Sequence, residues 1–194
     1  MNYIQRRKPG QTLKEIYIKQ YKKYNYLIKL GIEGEEITAK VLESLGNDYK
    51  VLHSIPLEFN KKDLDHIIVG PTGVFLVNSK NYRSKSLLID NEYIIYNKKR
   101  YTDPIDIRRD SDLVEKLFKI KVNPILCLIN NNNLKIKSSN ITKVLHVNKI
   151  LDYIEKKERI YSNEQVIKIY NEMSNIKKWG ITSLIDPDTV EKKI

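Results

Sequence analysis

The 194-residue chain is 41% hydrophobic and 30% charged, which allows one sizeable core and excludes a long disordered polymer. No apolar run approaches a membrane span, no apolar segment follows the basic N-terminus as in a secretory leader, and the lone Cys127 excludes an intramolecular disulfide or a cysteine zinc site. Of the formal charge of +11, residues 1–30 carry +7 (eight Lys or Arg against one Glu), a bias that favours polyanions through long-range attraction and counterion release.

The first predicted element is a helix over residues 12–30. Thr12 and Glu15 form a capping-box signature, and Leu13, Ile16, Tyr17, Tyr24, Leu27 and Ile28 follow helical spacing. Lys22 and Lys23 lie off that stripe and are candidate nucleic-acid contacts, although a basic helix serves DNA or a protein partner equally well. A second helix is expected over about 33–45, after Gly31 and Gly34 and before Gly46. On it Ile37, Thr38, Val41, Leu42 and Leu45 define an apolar arc at 100° per residue; Glu35 borders the arc, whereas Glu36 points with Lys40 and Glu43 toward water. Strands are expected at 49–57, 64–70, 74–80, 86–90 and 93–96, then a helix at 104–120 opening on Asp103-Pro104. Two apolar strands in NPILCLI and TKVLHV are separated by a polar loop, NNNLKIKSSN. Cys127, in the first of them, reads as a core thiol suited to a reducing cytoplasm. Helices at 148–158 and 163–173 follow, the second capped by Ser162 or Asn163. This order predicts an α/β protein, a mixed sheet flanked by helices.

The stretch DLDHIIVGPTGVFLVNSK, residues 63–80, carries the chemistry. If Pro71 and Thr72 form the turn, Gly70 pairs with Gly73 and paired positions sum to 143. Asp65 then faces Asn78, Asp63 faces Lys80, and period-two alternation puts all four on one face. Two carboxylates and a lysine so gathered suit a hard divalent cation and phosphodiester hydrolysis, with Glu35 as the further acid from a neighbouring helix.

GIEGEE, DLDHIIVGPTGVFLVNSKNY and DPIDIRR resemble the nuclease-related domain family, of the PD-(D/E)XK, restriction-endonuclease-like superfamily. The resemblance runs from about Gly31 to the strand at 142–147 and on toward the helix at 148–158. It implies a restriction-endonuclease-like sheet with helices on both faces, in a nuclease-fold domain over 31–158; the patterning outside it predicts a basic N-terminal helical extension over 1–30 and a C-terminal helical extension over 159–194. It also implies a helix glutamate at Glu35, a metal aspartate at Asp65, the lysine of an E-x-K element at Lys80, and Mg²⁺ or Mn²⁺ acting on DNA. Asp63 fills the position of the superfamily's proline and is read as a supporting residue.

Two departures bear on activity. Asn78-Ser79-Lys80 stands where the pattern has E-x-K, so the metal set would be Glu35, Asp65 and a neutral Asn78. Asp103-Pro104-Ile105-Asp106-Ile107 stands where the pattern has N-P-x-x-Q. Three explanations follow: a naturally weakened nuclease, an introduced inactivating change at Asn78, or another acid such as Asp90 or Glu92 in its place. The alternative function is a catalytically inactive nucleic-acid-binding or protein-interaction module. Around the site, Tyr82 is the tyrosine expected to touch substrate, and Arg108 and Arg109 are candidate phosphate contacts. His66 falls on the opposite sheet face and reads as a core or supporting histidine; His53 and His146 show no zinc spacing.

Overall fold

A computed structural model describes residues 8–10, 26–57, 63–82, 87–90, 93–96, 99–129, 134–136 and 142–175. The predicted helix at 12–30, including Lys22 and Lys23, and Glu92 therefore lie almost wholly outside the described residues. Helix α1, Tyr26–Leu42, runs straight through Gly31 and Gly34, so the expected break between two helices does not occur. Its last turn tightens through Ser44 N–H to Val41 O and Leu45 N–H to Leu42 O. Gly34 has a packing role instead: a Cβ there would stand 3.0 Å from Asn81 Cβ and 3.5 Å from Ile129 Cδ1. The missing side chain lets α1 settle against the chain leaving the sheet.

Strands β1 (Lys50–Pro56), β2 (Asp63–Gly70), β3 (Gly73–Lys80), β7 (Val122–Leu128) and β9 (Lys143–His146) form a five-stranded sheet in the order β1-β2-β3-β7-β9. The first three are antiparallel neighbours, and β7 and β9 add in parallel. The β3–β7 crossover contains β4 (Leu87–Asp90), β5 (Tyr93–Tyr96), β6 (Lys99–Tyr101) and helix α2 (Asp103–Phe118). After β9 come a 3₁₀ turn (Val147–Lys149), α3 (Ile150–Glu155) and α4 (Asn163–Asn175).

Two strands were not expected. β6 and β8 (Leu134–Ile136) complete a second sheet, β6-β5-β4-β8, so LKI inside the polar loop pairs with β4. Three residues amid asparagines and lysines show no period-two signal; their pairing is a tertiary event.

The 70–73 turn pins the register. Gly70 pairs with Gly73, and the pairing continues to His66 with Val77. Gly73 has φ 130°, which favours glycine. A Cβ on Gly70 would lie 2.1 Å from Tyr49 Cδ1, because that ring packs across the strand backbone. Tyr49 Oη in turn meets Thr72 Oγ1 at 3.1 Å, and Pro71 O accepts the N–H groups of Ile160 and Tyr161.

Each face of the main sheet has its own core. On one, Ile68, Phe75, Val77, Ile125 and Cys127 pack with Leu42 at the end of α1, Leu45 just after it, and Ile150 and Ile154 of α3. On the other, Ile67, Val69, Val74 and Leu76 pack with Ile107 and Val114 of α2 and Val166 and Met173 of α4. Helix α4 is capped reciprocally: Gln165 N–H donates to Ser162 Oγ and Ser162 N–H to Gln165 Oε1. The second sheet closes over Leu126, Leu128 and Val144 through Leu87, Ile89 and Ile94. No helix among the described residues is long and apolar enough to cross a membrane.

Candidate active site

One further step along the observed register sets Asp65 opposite Asn78. By alternation Asp65, Asn78 and Lys80 share the face of Ile67 and Leu76, which α2 and α4 cover. Helix α1 packs on the opposite face, so Glu35 reaches the acids where β2 begins and β3 ends. Glu35 is buried, whereas Glu36 is exposed, as the helical arc predicts. The Gly34–Asn81 approach and an Asn81 Nδ2–H bond to Leu30 O, 3.1 Å, fix α1 at that end.

The backbone is distorted around Asp65. Pairing of β1 with β2 skips the step between His53↔His66 and Ile55↔Leu64, leaving out Ser54 and Asp65. Ser54 there has φ 48°, a left-handed conformation that a serine adopts at a cost of about 1–3 kcal/mol. On the other side, β2–β3 pairing stops at His66, and Ser79 N–H donates to Asp65 Oδ2 at 2.6 Å. The carboxylate is thus held by a strand N–H. Sequence reasoning missed Ser54, because nothing in HSIP marks a positive φ.

Behind this bond a polar chain runs from the buried Ser79 and His66 out to the exposed Glu43. Ser79 Oγ meets His66 Nε2 at 3.1 Å, His66 Nδ1 meets His53 Nδ1 at 2.8 Å, and His53 Nε2 lies 3.6 Å from Glu43 Oε1. With Glu43 favouring a proton on His53 Nε2, His66 donates from Nδ1 and accepts from the Ser79 hydroxyl. Burial lowers the His53 pKa to about 4; burial and His53 hold His66 well below the ordinary value. Both rings are neutral supports.

The front of the site is electrostatically tense. Glu35 is 4% exposed, and burial, then Asp65 and Asp63, raise its carboxyl pKa from 4.5 to about 9. The Gly10 N–H bond to Glu35 Oε2 (2.6 Å) and the charge of Lys80 oppose that rise without overcoming it. Near neutral pH a proton therefore neutralises this acid. Asn78 Oδ1, one register step beyond the last β2–β3 pair and across from Asp65, is buried with no hydrogen-bond partner among the described residues.

Lys80 turns to an acid the sequence reading left out. Its Nζ lies 3.0 Å from Asp103 Oδ1, and the other Asp103 oxygen accepts from Tyr82 Oη. Burial lowers the Lys80 pKa, but Asp103, then Asp65 and Glu35, outweigh it, so the ammonium stays charged. Asp103 belongs to the first turn of α2, where the helix dipole favours negative charge. The acid beside Lys80 is thus Asp103. Of the two suggested from sequence, Glu92 is outside the described residues, as is the Asp90 side chain. Tyr82, whose ring lies 5.9 Å from that of Tyr101, is engaged within this cluster. Arg108 and Arg109 lie ~7.5 and ~9 Å along α2 from Asp103, roughly 140° around it in one sense and roughly 120° in the other.

The residue types suit a hard cation once Glu35 gives up its proton: two carboxylates and an unpartnered amide oxygen, all oxygen donors. It is a lean set. Among the described residues no three His, Cys, Asp or Glu side chains are arranged to hold a metal ion.

A mixed sheet flanked by helices, with acids and a lysine at the strand ends, defines an α/β protein with a restriction-endonuclease-like core. A family model described as nuclease-related domain matches residues 30–129, and the chain belongs to that family; the PD-(D/E)XK placement is consistent with it. No curated protein and no solved structure matches the chain.

Proposed function

We propose that this nuclease-related protein is a metal-dependent DNA phosphodiesterase weakened by Asn78. The observation that carries the reading is a buried acid pair, Glu35 and Asp65, interacting with each other and with the charged Lys80, with the unpartnered Asn78 oxygen on the strand face that Asp65 shares. Glu35, Asp65 and Asn78 would hold Mg²⁺ or Mn²⁺. When bound, such a cation lowers the pKa of a coordinated water and neutralises charge on the phosphate. Lys80 stabilises the negative charge that grows on the phosphoryl oxygens. The Ser79 N–H bond fixes one Asp65 oxygen and so orients the other. The basic N-terminal residues, Lys22 and Lys23 included, would draw the polyanion toward the site or engage a protein partner, with Arg108 and Arg109 as further phosphate contacts. The buried thiol of Cys127, pushed up to about 12 chiefly by burial, is compatible with a reducing cytoplasm as the setting.

The neutral amide at 78 favours a second reading: a binding module that kept the fold and lost hydrolysis. The two separate when the unaltered protein, Asn78→Glu and Lys80→Ala are each incubated with plasmid and single-stranded DNA plus Mg²⁺ or Mn²⁺. Cleavage by the unaltered protein that disappears in Lys80→Ala supports the enzyme. Cleavage only by Asn78→Glu indicates intact geometry with insufficient charge. Salt-sensitive DNA binding with no cleavage by any of them supports the module.

A further inference from the structure

The Lys80 ammonium has two destinations in this site. One is Asp103, 3.0 Å away and supported by Tyr82 and the first turn of α2. The other is the acid pair itself, since Asp65 and Glu35 both lie close enough to act on the ammonium. In the second position a lysine would act as an internal cation. It would occupy the charge that attracts a divalent ion, and a compact ammonium is well suited to do so. With a neutral Asn78, the strand supplies little negative charge to offset such an intrusion.

We propose that Asp103, oriented by Tyr82, is a positioning residue that keeps Lys80 off the acid pair and leaves the Glu35, Asp65 and Asn78 oxygens to a divalent cation. The inference rests on the cation-binding reading above. Both Asp103 oxygens are engaged, one by Lys80 and one by Tyr82, so Asp103 acts through the lysine rather than as a ligand. Tyr82 thereby has a role distinct from substrate contact: it holds the carboxylate that holds the ammonium. Asn78 and Asp103 form a functional pair, an amide on β3 and an acid on α2, flanking one lysine.

The test compares the full chain with Asp103→Asn, Lys80→Met and the double variant, using Mn²⁺ alone as the probe. Asp103→Asn is expected to weaken Mn²⁺ binding by about tenfold or more, the usual scale for loss of a supporting partner, and adding Lys80→Met to restore it. Equal weakening in the single and double variants would mean that Asp103 matters only to the helix, and would overturn the proposal. A crystal structure of Asp103→Asn supplies a readout independent of metal. Nζ of Lys80 against Glu35 or Asp65 supports the proposal, whereas Nζ still beside residue 103 or in solvent overturns it. If the unaltered chain binds no Mn²⁺, the cation-binding reading falls, and the lysine's position in that crystal still decides the positioning role.

Discussion

Replacing Glu35 by Gln keeps the shape of the side chain and removes its proton. In the folded protein this carboxyl titrates at about 9, against 4.5 when unperturbed. Between those values the unfolded chain has released the proton and the folded chain still holds it. This contribution is fully present below the unfolded pKa and is lost as pH rises through the folded one, at a limiting slope of ~1.4 kcal/mol per pH unit. From about pH 7 to about pH 8.5 the wild-type protein should therefore lose ~2 kcal/mol relative to Glu35→Gln. The buried histidines exert their effect at lower pH and do not enter this window. Urea denaturation of both proteins in chelator, at the two pH values, isolates the difference because every other group is common. For a chain of this size the loss corresponds to roughly 4–8 °C in Tm. Parallel stability–pH curves for the two proteins would refute the buried, protonated Glu35 and with it the tense acid pair.

Asn78→Glu should tighten Mn²⁺ binding, measured by calorimetry, and lower the melting temperature in chelator, because it adds charge beside Asp65 and Glu35. Gly34→Ala should be no more stable than the wild type in denaturant unfolding, the ~1 kcal/mol that alanine gains inside a helix being offset by a Cβ 3.0 Å from Asn81 Cβ; a raised midpoint would show that α1 shifts freely. Ser54→Val should destabilise by ~1–3 kcal/mol more than Ser54→Gly in the same assay, as only glycine accepts the positive φ without strain. His53 and His66 should stay neutral as pH falls through the ordinary histidine range, toward about 4 for His53; ring-proton NMR shifts that move near the ordinary value would contradict their burial.

What could be read from the sequence was local and periodic. Gly70-Pro71-Thr72-Gly73 fixed the turn, and arithmetic then aligned Asp65 with Asn78 without coordinates. The apolar arc of α1 distinguished Glu35 from Glu36. The errors arose where tertiary contact overrides a local signal. Gly34 reads as a helix breaker, yet it sits inside a helix because Asn81 needs the space. β8 is too short to show alternation and exists through its pairing with β4. Asp103 looked like the opening of a helix, which it is; that its carboxylate meets Lys80 depends on the path through the second sheet. Ser54 illustrates a backbone conformation that residue type does not encode.

The packing of Tyr49 across Gly70 has an evolutionary consequence. No side chain can appear at position 70 while an aromatic ring remains at 49, since even a methyl group would overlap it. Drift at these two sites must be concerted, and a lone change at the glycine should loosen the hairpin whose alignment delivers Asp65.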